Sequence, residues 1–265
     1  MPNDRDRARA KRRLAKREAS ATARAAHRRR NQAVIGTVVT VLVVVAGVFA
    51  LSRLVGSPTT PPTPAAASAT GPANPCPVPD STPVPTAPAF PAAPAATLAK
   101  AKTWDATLTT TCGAITVELY GDKAPQTVAS FIFLSRKGFY TGSPCHRLTS
   151  SESLKVLQCG DPTGTGTGGP GYGFGVENVP ADGSYPTGTL AMARGSDVNS
   201  NGSQFFIVYG DSRLPVDGGG YTVFGKVTSG LDVLTTVAAG GTTSGESDGA
   251  PARAVSVESV TVAPR

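Results

Sequence analysis

The sequence predicts a mainly β domain of closed, antiparallel architecture with two short helices, preceded by one membrane-crossing helix and a proline-rich linker. Three observations predict it. Short stretches rich in Thr, Val, Ile and aromatic residues recur through the C-terminal half, separated by glycine-rich turns. Only two stretches in that half carry helical spacing. Upstream, an uncharged apolar run precedes thirteen prolines within residues 57–98, a composition that cannot pack a core.

The chain opens on a basic tail, residues 1–32. Twelve Lys and Arg between Arg5 and Arg30 face only Asp4, Asp6 and Glu18. The tail alone exceeds the net +7 of the 265-residue chain, so the remainder is slightly acidic. No nucleic-acid partner is expected for the folded part. The tail itself suits acidic lipid head groups, nucleic acid or a plain topology signal. Residues 33–51, from Ala33 to Leu51, carry no charge. At about 1.5 Å per residue they cross a hydrocarbon core of roughly 30 Å. Arg28, Arg29 and Arg30 abut one end and a single Arg53 follows the other, which puts the N-terminus in the cytoplasm and the rest outside. A cleaved signal peptide is the rival reading, but its apolar core is normally shorter and its basic region less extended. Residues 52–100 read as a disordered Pro/Ala/Thr-rich stalk with polyproline II preference. The folded domain takes residues 101–265.

Within that domain, residues 104–111 and 114–120 alternate around Cys112-Gly113 and read as a hairpin. Pro125 suits the first turn of a helix, Val128, Phe131, Ile132 and Leu134 follow at helical spacing, and Gly138 ends it. Further strands fit residues 145–149, 155–159, 189–193, 204–209 and 221–226. A second helix fits 231–238 after Gly230, and a last strand fits 254–262.

Several chemistries find no support. The histidines are His27, in the tail, and His146, and no Cys-x-x-Cys spacing occurs, so neither a metal nor another cofactor is indicated. The run Gly164–Gly169 lacks the Lys-Ser/Thr of a phosphate loop and reads as a surface loop. Asn201-Gly202-Ser203 matches a glycosylation sequon, a short pattern common by chance. No Gly-x-Ser-x-Gly elbow appears. Taken singly, Arg147 reads as a surface charge and Phe206 as core.

Five segments together carry a resemblance. They are Ala124-Pro-Gln-Thr-Val-Ala-Ser-Phe131, His146-Arg147, Gln158-Cys-Gly-Asp161, Asn201-Gly-Ser-Gln-Phe-Phe206 and Val223-Phe-Gly-Lys226. From Ile115 to about Gly240 the chain resembles the cyclophilin peptidyl-prolyl isomerases. The resemblance implies a closed eight-stranded antiparallel barrel with two helices, proline-containing polypeptides as partners, and isomerisation of X-Pro bonds. That reaction crosses a barrier of about 18–20 kcal/mol set by the partial double bond of the amide. It needs a donor aimed at the prolyl nitrogen and an apolar seat for the ring, with no nucleophile.

By the resemblance, Arg147 is the donor, suited by its permanent charge and fixed fork of N–H groups. Gln158 orients it, and His146 lines the site without transferring a proton. Phe206 forms the pocket floor beside Val156. Gln204 and the backbone at Ala193 and Arg194 bind residues preceding proline. The chain departs from the family pattern at several places. Lys155 stands where an aromatic is usual, Arg194 replaces an Asn, Leu214 replaces a tryptophan or its equivalent, and Tyr221 replaces a His. A shallower pocket, reduced activity and weak cyclosporin binding are implied. The family fold also pairs the strands bearing Cys145 and Cys159 antiparallel, which implies a disulfide between them. Cys76–Cys112 would be the second, one of three connectivities that four cysteines allow. Bridges suit an oxidising exterior. An extracytoplasmic foldase is the leading reading. A proline-segment binding module without turnover and a structural wall-spanning protein remain open beside it.

Overall fold

The computed structural model describes residues 76, 77, 79, 82–100 and 102–265. The basic tail, the apolar run 33–51 and most of the stalk lie outside the described residues. Among the described residues no helix is long and apolar enough to cross a membrane.

The first hairpin joins β1 (Thr103–Thr110) to β2 (Gly113–Tyr120), with Trp104 opposite Leu119 and Leu108 opposite Ile115. Its alternation buries Trp104, Ala106, Leu108, Ile115, Val117 and Leu119 on one face. Helix α1 (Pro125–Arg136) follows. Its N-terminus is closed from far away in sequence: the N–H groups of Gln126 and Thr127 donate to the Glu177 carboxylate at 3.0 and 2.8 Å. A carboxylate there satisfies orphan donors and the helix dipole. Phe131 of α1 meets Phe205 edge-on, with centroids 5.7 Å apart, and packs on Tyr140 and Phe224.

The remaining elements are β3 (Ser143–Pro144), β4 (Arg147–Ser150), β5 (Lys155–Cys159), β6 (Ser184–Tyr185), β7 (Thr189–Met192), β8 (Phe205–Gly210), β9 (Ser212–Arg213), β10 (Val223–Ser229), α2 (Leu231–Ala239), β11 (Asp248–Gly249) and β12 (Ser256–Pro264). Ten strands form one curled antiparallel sheet in the order β11-β4-β5-β8-β7-β10-β2-β1-β12-β3, and β6 pairs β9 apart from it. The expected closed eight-stranded barrel is therefore corrected to a ten-stranded sheet with no ladder between its end strands. Those ends, β3 and β11, are two residues long, and Pro144 in β3 has no N–H to donate. The expected strand 145–149 starts later, at Arg147, and runs to Ser150, pairing with β5 and β11; Ser143 and Pro144, upstream of it, pair with β12 instead.

Described residues ahead of residue 101 are joined to the domain. Cys76 is disulfide-bonded to Cys112 of the hairpin turn. Val84 and Phe90 donate N–H bonds to the Pro162 and Pro170 carbonyls at 3.0 and 2.8 Å. The Phe90 ring meets Phe133 edge-on at 5.0 Å, and Ala99 is fully buried. The composition of this stretch forbids a core of its own, but an isolated aromatic can enter someone else's.

Strands β5, β7 and β8 are apolar on both faces. Leu157, Leu190, Phe205 and Ile207 point to the main core. Their neighbours Val156, Ala191, Phe206 and Val208 turn to the opposite face and form a second cluster with Tyr185. That second cluster floors the site.

Candidate active site

Register assembles the site. Arg147 on β4 lies opposite Gln158 on β5, Gln158 opposite Phe206 on β8, and Phe206 opposite Ala191 on β7. Directly opposed residues share a face, so motif residues distant in sequence become one row across four strands. Gly160, just beyond this row, adopts φ +91°, and a Cβ there would sit 2.5 Å from the Ser203 carbonyl oxygen. Glycine is thus required where the Gln158–Asp161 segment passes the turn before Gln204.

Arg147, Val156, Gln158 and Phe206 line one cavity of about 200 Å³, joined by Ala193, Arg194, Leu214 and Tyr221. Phe206 is only 4% exposed. Tyr221 meets it edge-on at 5.7 Å. The Tyr185 hydroxyl fixes Tyr221 from behind, donating to its carbonyl and accepting from its N–H, both at 3.0 Å. Tyr185 carried no sequence signal beyond a short polar-flanked aromatic. The wall where Lys155 was expected is Leu154: Lys155 sits at the edge of β5 opposite Gly210, its aliphatic stem against that glycine. Leu214 does line the cavity, its N–H donating to the Gly183 carbonyl at 2.9 Å.

A polar chain borders this apolar seat. Arg147 Nη1 donates to Gln158 Oε1 at 3.3 Å, Gln158 Nε2 to Gln204 Oε1 at 2.9 Å, and Gln204 Nε2 to the Gly166 and Gly168 carbonyls at 3.0 and 2.9 Å. The run Gly164–Gly169, expected as a mere surface loop, thereby supports the site. Its Gly166–Gly169 part also lines a second cavity of about 660 Å³, which shares Gln158, Ala193 and Arg194 with the first and adds Gln204. The loop is wound around Asp161, whose carboxylate accepts N–H bonds from Thr163, Gly166 and Gly168. Burial pushes the Asp161 carboxyl up, but the Thr163 hydroxyl bond at 2.7 Å together with these N–H bonds outweighs it and holds the group below the usual carboxylate range.

The other side of Arg147 is bonded too. Nε and Nη2 donate to the two Asp248 oxygens at 2.8 and 2.7 Å. The Asp248 hydrogen bond raises the guanidinium further above its ordinary value, and the Arg147 bond holds the carboxyl below its own. Arg194, expected to act through its backbone, contributes its side chain as well. Nε and Nη2 donate to the Gly220 and Gly218 carbonyls at 2.8 and 2.6 Å, and the guanidinium lies over the Tyr221 ring at 5.1 Å. The Ala193 N–H donates to the Gln204 carbonyl at 2.9 Å.

His146 lies apart from that row. It lines a separate cavity of about 390 Å³ with Pro83, Cys145 and Thr163. The strand begins at Arg147, so the residue before it turns away from the row that faces Phe206. Both ring nitrogens are buried without a hydrogen-bond partner, and burial lowers the imidazole pKa, Asp161 opposing and Arg147 assisting. The second disulfide, Cys145–Cys159, joins the approach to β4 to the end of β5, two residues from Arg147 and one from Gln158. Asn201, the sequon residue, is fully buried and is no acceptor for glycan in the folded chain. Among the described residues no cluster of three His, Cys, Asp or Glu is placed to hold a metal ion.

A family model described as cyclophilin type peptidyl-prolyl cis-trans isomerase/CLD matches residues 106–262. The chain is 44% identical over 171 residues to a probable peptidyl-prolyl cis-trans isomerase B of Mycobacterium leprae, covering 60% of this chain and 56% of the relative. It is 43% identical over 166 residues to the probable isomerase B of Mycobacterium tuberculosis strain H37Rv, covering 58% and 52%. The chain thus spans about half the length of these curated relatives. The fold is similar to a crystal structure of a Cryptosporidium parvum cyclophilin type peptidyl-prolyl cis-trans isomerase in the presence of the dipeptide Ala-Pro, with TM-score 0.51, 30% identity, and 61% of this chain and 99% of that chain covered. With more than half its length matched by that family model, the chain belongs to the cyclophilin-type peptidyl-prolyl cis-trans isomerase family.

Proposed function

We propose that the chain is a peptidyl-prolyl cis-trans isomerase that assists folding of extracytoplasmic proteins. The observation that carries this is the row of Arg147, Gln158 and Phe206 around one small apolar cavity. A proline ring seats on Phe206 with Val156, Leu154 and Leu214 about it. Arg147 retains two of its five N–H bonds after Asp248 and Gln158 take three. As the X-Pro bond twists, the nitrogen lone pair leaves conjugation and accepts one of them. That bond is unavailable to the planar amide, so it stabilises the twisted state alone and lowers the barrier. Gln204 and the Ala193 backbone hold the segment before proline. The C. parvum relative was crystallised in the presence of Ala-Pro, which suits proline-containing peptides as partners here.

Isomerisation kinetics of an Ala-Pro peptide test this in the full chain. Arg147→Ala is expected to lose about a hundred-fold in kcat/KM. Equal rates with and without Arg147, or peptide binding with no acceleration, would instead leave the binding-module reading.

The site is read as lying outside the cytoplasm, tethered through residues 33–51. The two disulfides support an oxidising compartment. Protease added to intact spheroplasts should remove the domain; protection until lysis would reverse the topology.

A further inference from the structure

Asp248 belongs to no motif and sits on the two-residue strand β11 at the sheet edge. It lies opposite Thr149 of β4. Residues 147 and 149 share a face of β4, so Asp248 is the diagonal cross-strand neighbour of Arg147. The strand is held in place around it. Ser150 donates to the Ser247 carbonyl at 2.8 Å, Thr243 to the Ala250 carbonyl at 2.8 Å, and the Thr242 hydroxyl to the Glu246 carbonyl at 2.6 Å.

The geometry is two-pronged. Nε and Nη2 of Arg147 meet the two Asp248 oxygens, while Nη1 meets Gln158. A bidentate carboxylate fixes the plane of a guanidinium as well as its position. Gln158 fixes the opposite end. The Arg147 side chain is 39% exposed, and these three bonds are what restrains it. Freed from Asp248, it would sample rotamers over solvent. The carboxylate also offsets part of the charge, which weakens each remaining donor. In a site where the donor must meet an sp3 nitrogen on one face of a small cavity, orientation is the larger effect.

We propose that Asp248 is a positioning residue for Arg147, holding the side edge of the guanidinium so that its remaining N–H bonds face the Phe206 cavity. This rests on the isomerase reading of the same site. It predicts a change in turnover more than in binding, because the apolar seat for proline contains no atom of Asp248.

The test uses the full chain and an Ala-Pro peptide, with wild type, Arg147→Ala, Asp248→Ala and Asp248→Asn. The Asp248 side chain is 53% exposed, so the variants should fold with unchanged unfolding midpoints. Asp248→Ala is expected to lower kcat about ten-fold with KM within about two-fold of wild type. Asp248→Asn, which keeps one acceptor oxygen, should fall between. The Arg147 Nε–H resonance gives a second readout independent of turnover. It should be protected from exchange in wild type and lost in Asp248→Ala. If wild type accelerates nothing, or Arg147→Ala is fully active, the isomerase reading falls and this inference with it. If Arg147→Ala is inactive but Asp248→Ala matches wild type, or changes KM alone, only the positioning role of Asp248 is overturned.

Discussion

At the scale of single residues, His146 differs most from what its motif position suggests. It adjoins Arg147 in sequence yet lies in a separate cavity, with both nitrogens buried and unpartnered. A protonated imidazole there would be a desolvated charge beside a guanidinium, and burial accordingly lowers its pKa. The linkage has a definite sign. On acidification the unfolded chain binds the proton first, near the ordinary imidazole value of about 6.5. The stability contributed by keeping His146 neutral is therefore complete above that pH. It is lost as pH falls from there through the lowered folded-state value. Thermal unfolding of wild type and His146→Gln between about pH 8 and pH 5 checks this. The wild type should lose more of its midpoint than the variant, and parallel curves would refute the assignment. Activity at neutral pH should survive the substitution, since the ring touches neither Phe206 nor the cavity above it.

At the scale of elements, legibility followed the strength of the local pattern. Strand β5 was readable to the residue, because Lys155–Cys159 is a short apolar run bounded by polar and glycine-rich segments. Helix α1 was readable because Pro125 marks one end and Gly138, at φ +68°, the other. Two-residue strands such as β6, β9 and β11 carry no period, so no pattern search finds them. The split between β3 and β4 was hidden for a related reason: residues 143–150 change partners midway, and partner choice is a tertiary property. The site divides the same way. Arg147, Gln158 and Phe206 were found through a family resemblance whose physical basis is the register now visible across β4, β5 and β8. Their supports were not found. Glu177 caps a helix from 51 residues away, Asp248 reaches Arg147 across 101, and the Gly166 and Gly168 carbonyls act through backbone atoms that every residue possesses.

At the scale of the whole described domain, residues 82–100 and Cys76 are joined to the fold, and this yields a test of where the domain begins. The Cys76–Cys112 bridge spans 36 residues, and loop-closure entropy for such a span stabilises by about 3–4 kcal/mol. Phe90 adds burial against Phe133 and Phe139, on the order of 1–2 kcal/mol for a partly buried aromatic. A fragment of residues 101–265 lacks both, and should melt roughly 10–20 °C below one of residues 76–265. Cys76→Ser in the longer fragment should recover only part of that deficit, separating the covalent contribution from the packing. The loss should extend to the site. Val84 and Phe90 bond the Pro162 and Pro170 carbonyls, and Ala89 abuts Gly171, so this segment braces both ends of the loop that holds Gln204. Gln204 holds Gln158, and Gln158 holds Arg147. At a temperature where both fragments remain folded, the shorter one should therefore turn over more slowly as well. Equal melting and equal kcat in the two fragments would mean that the segment merely rests on the surface and that the boundary at residue 100 stands.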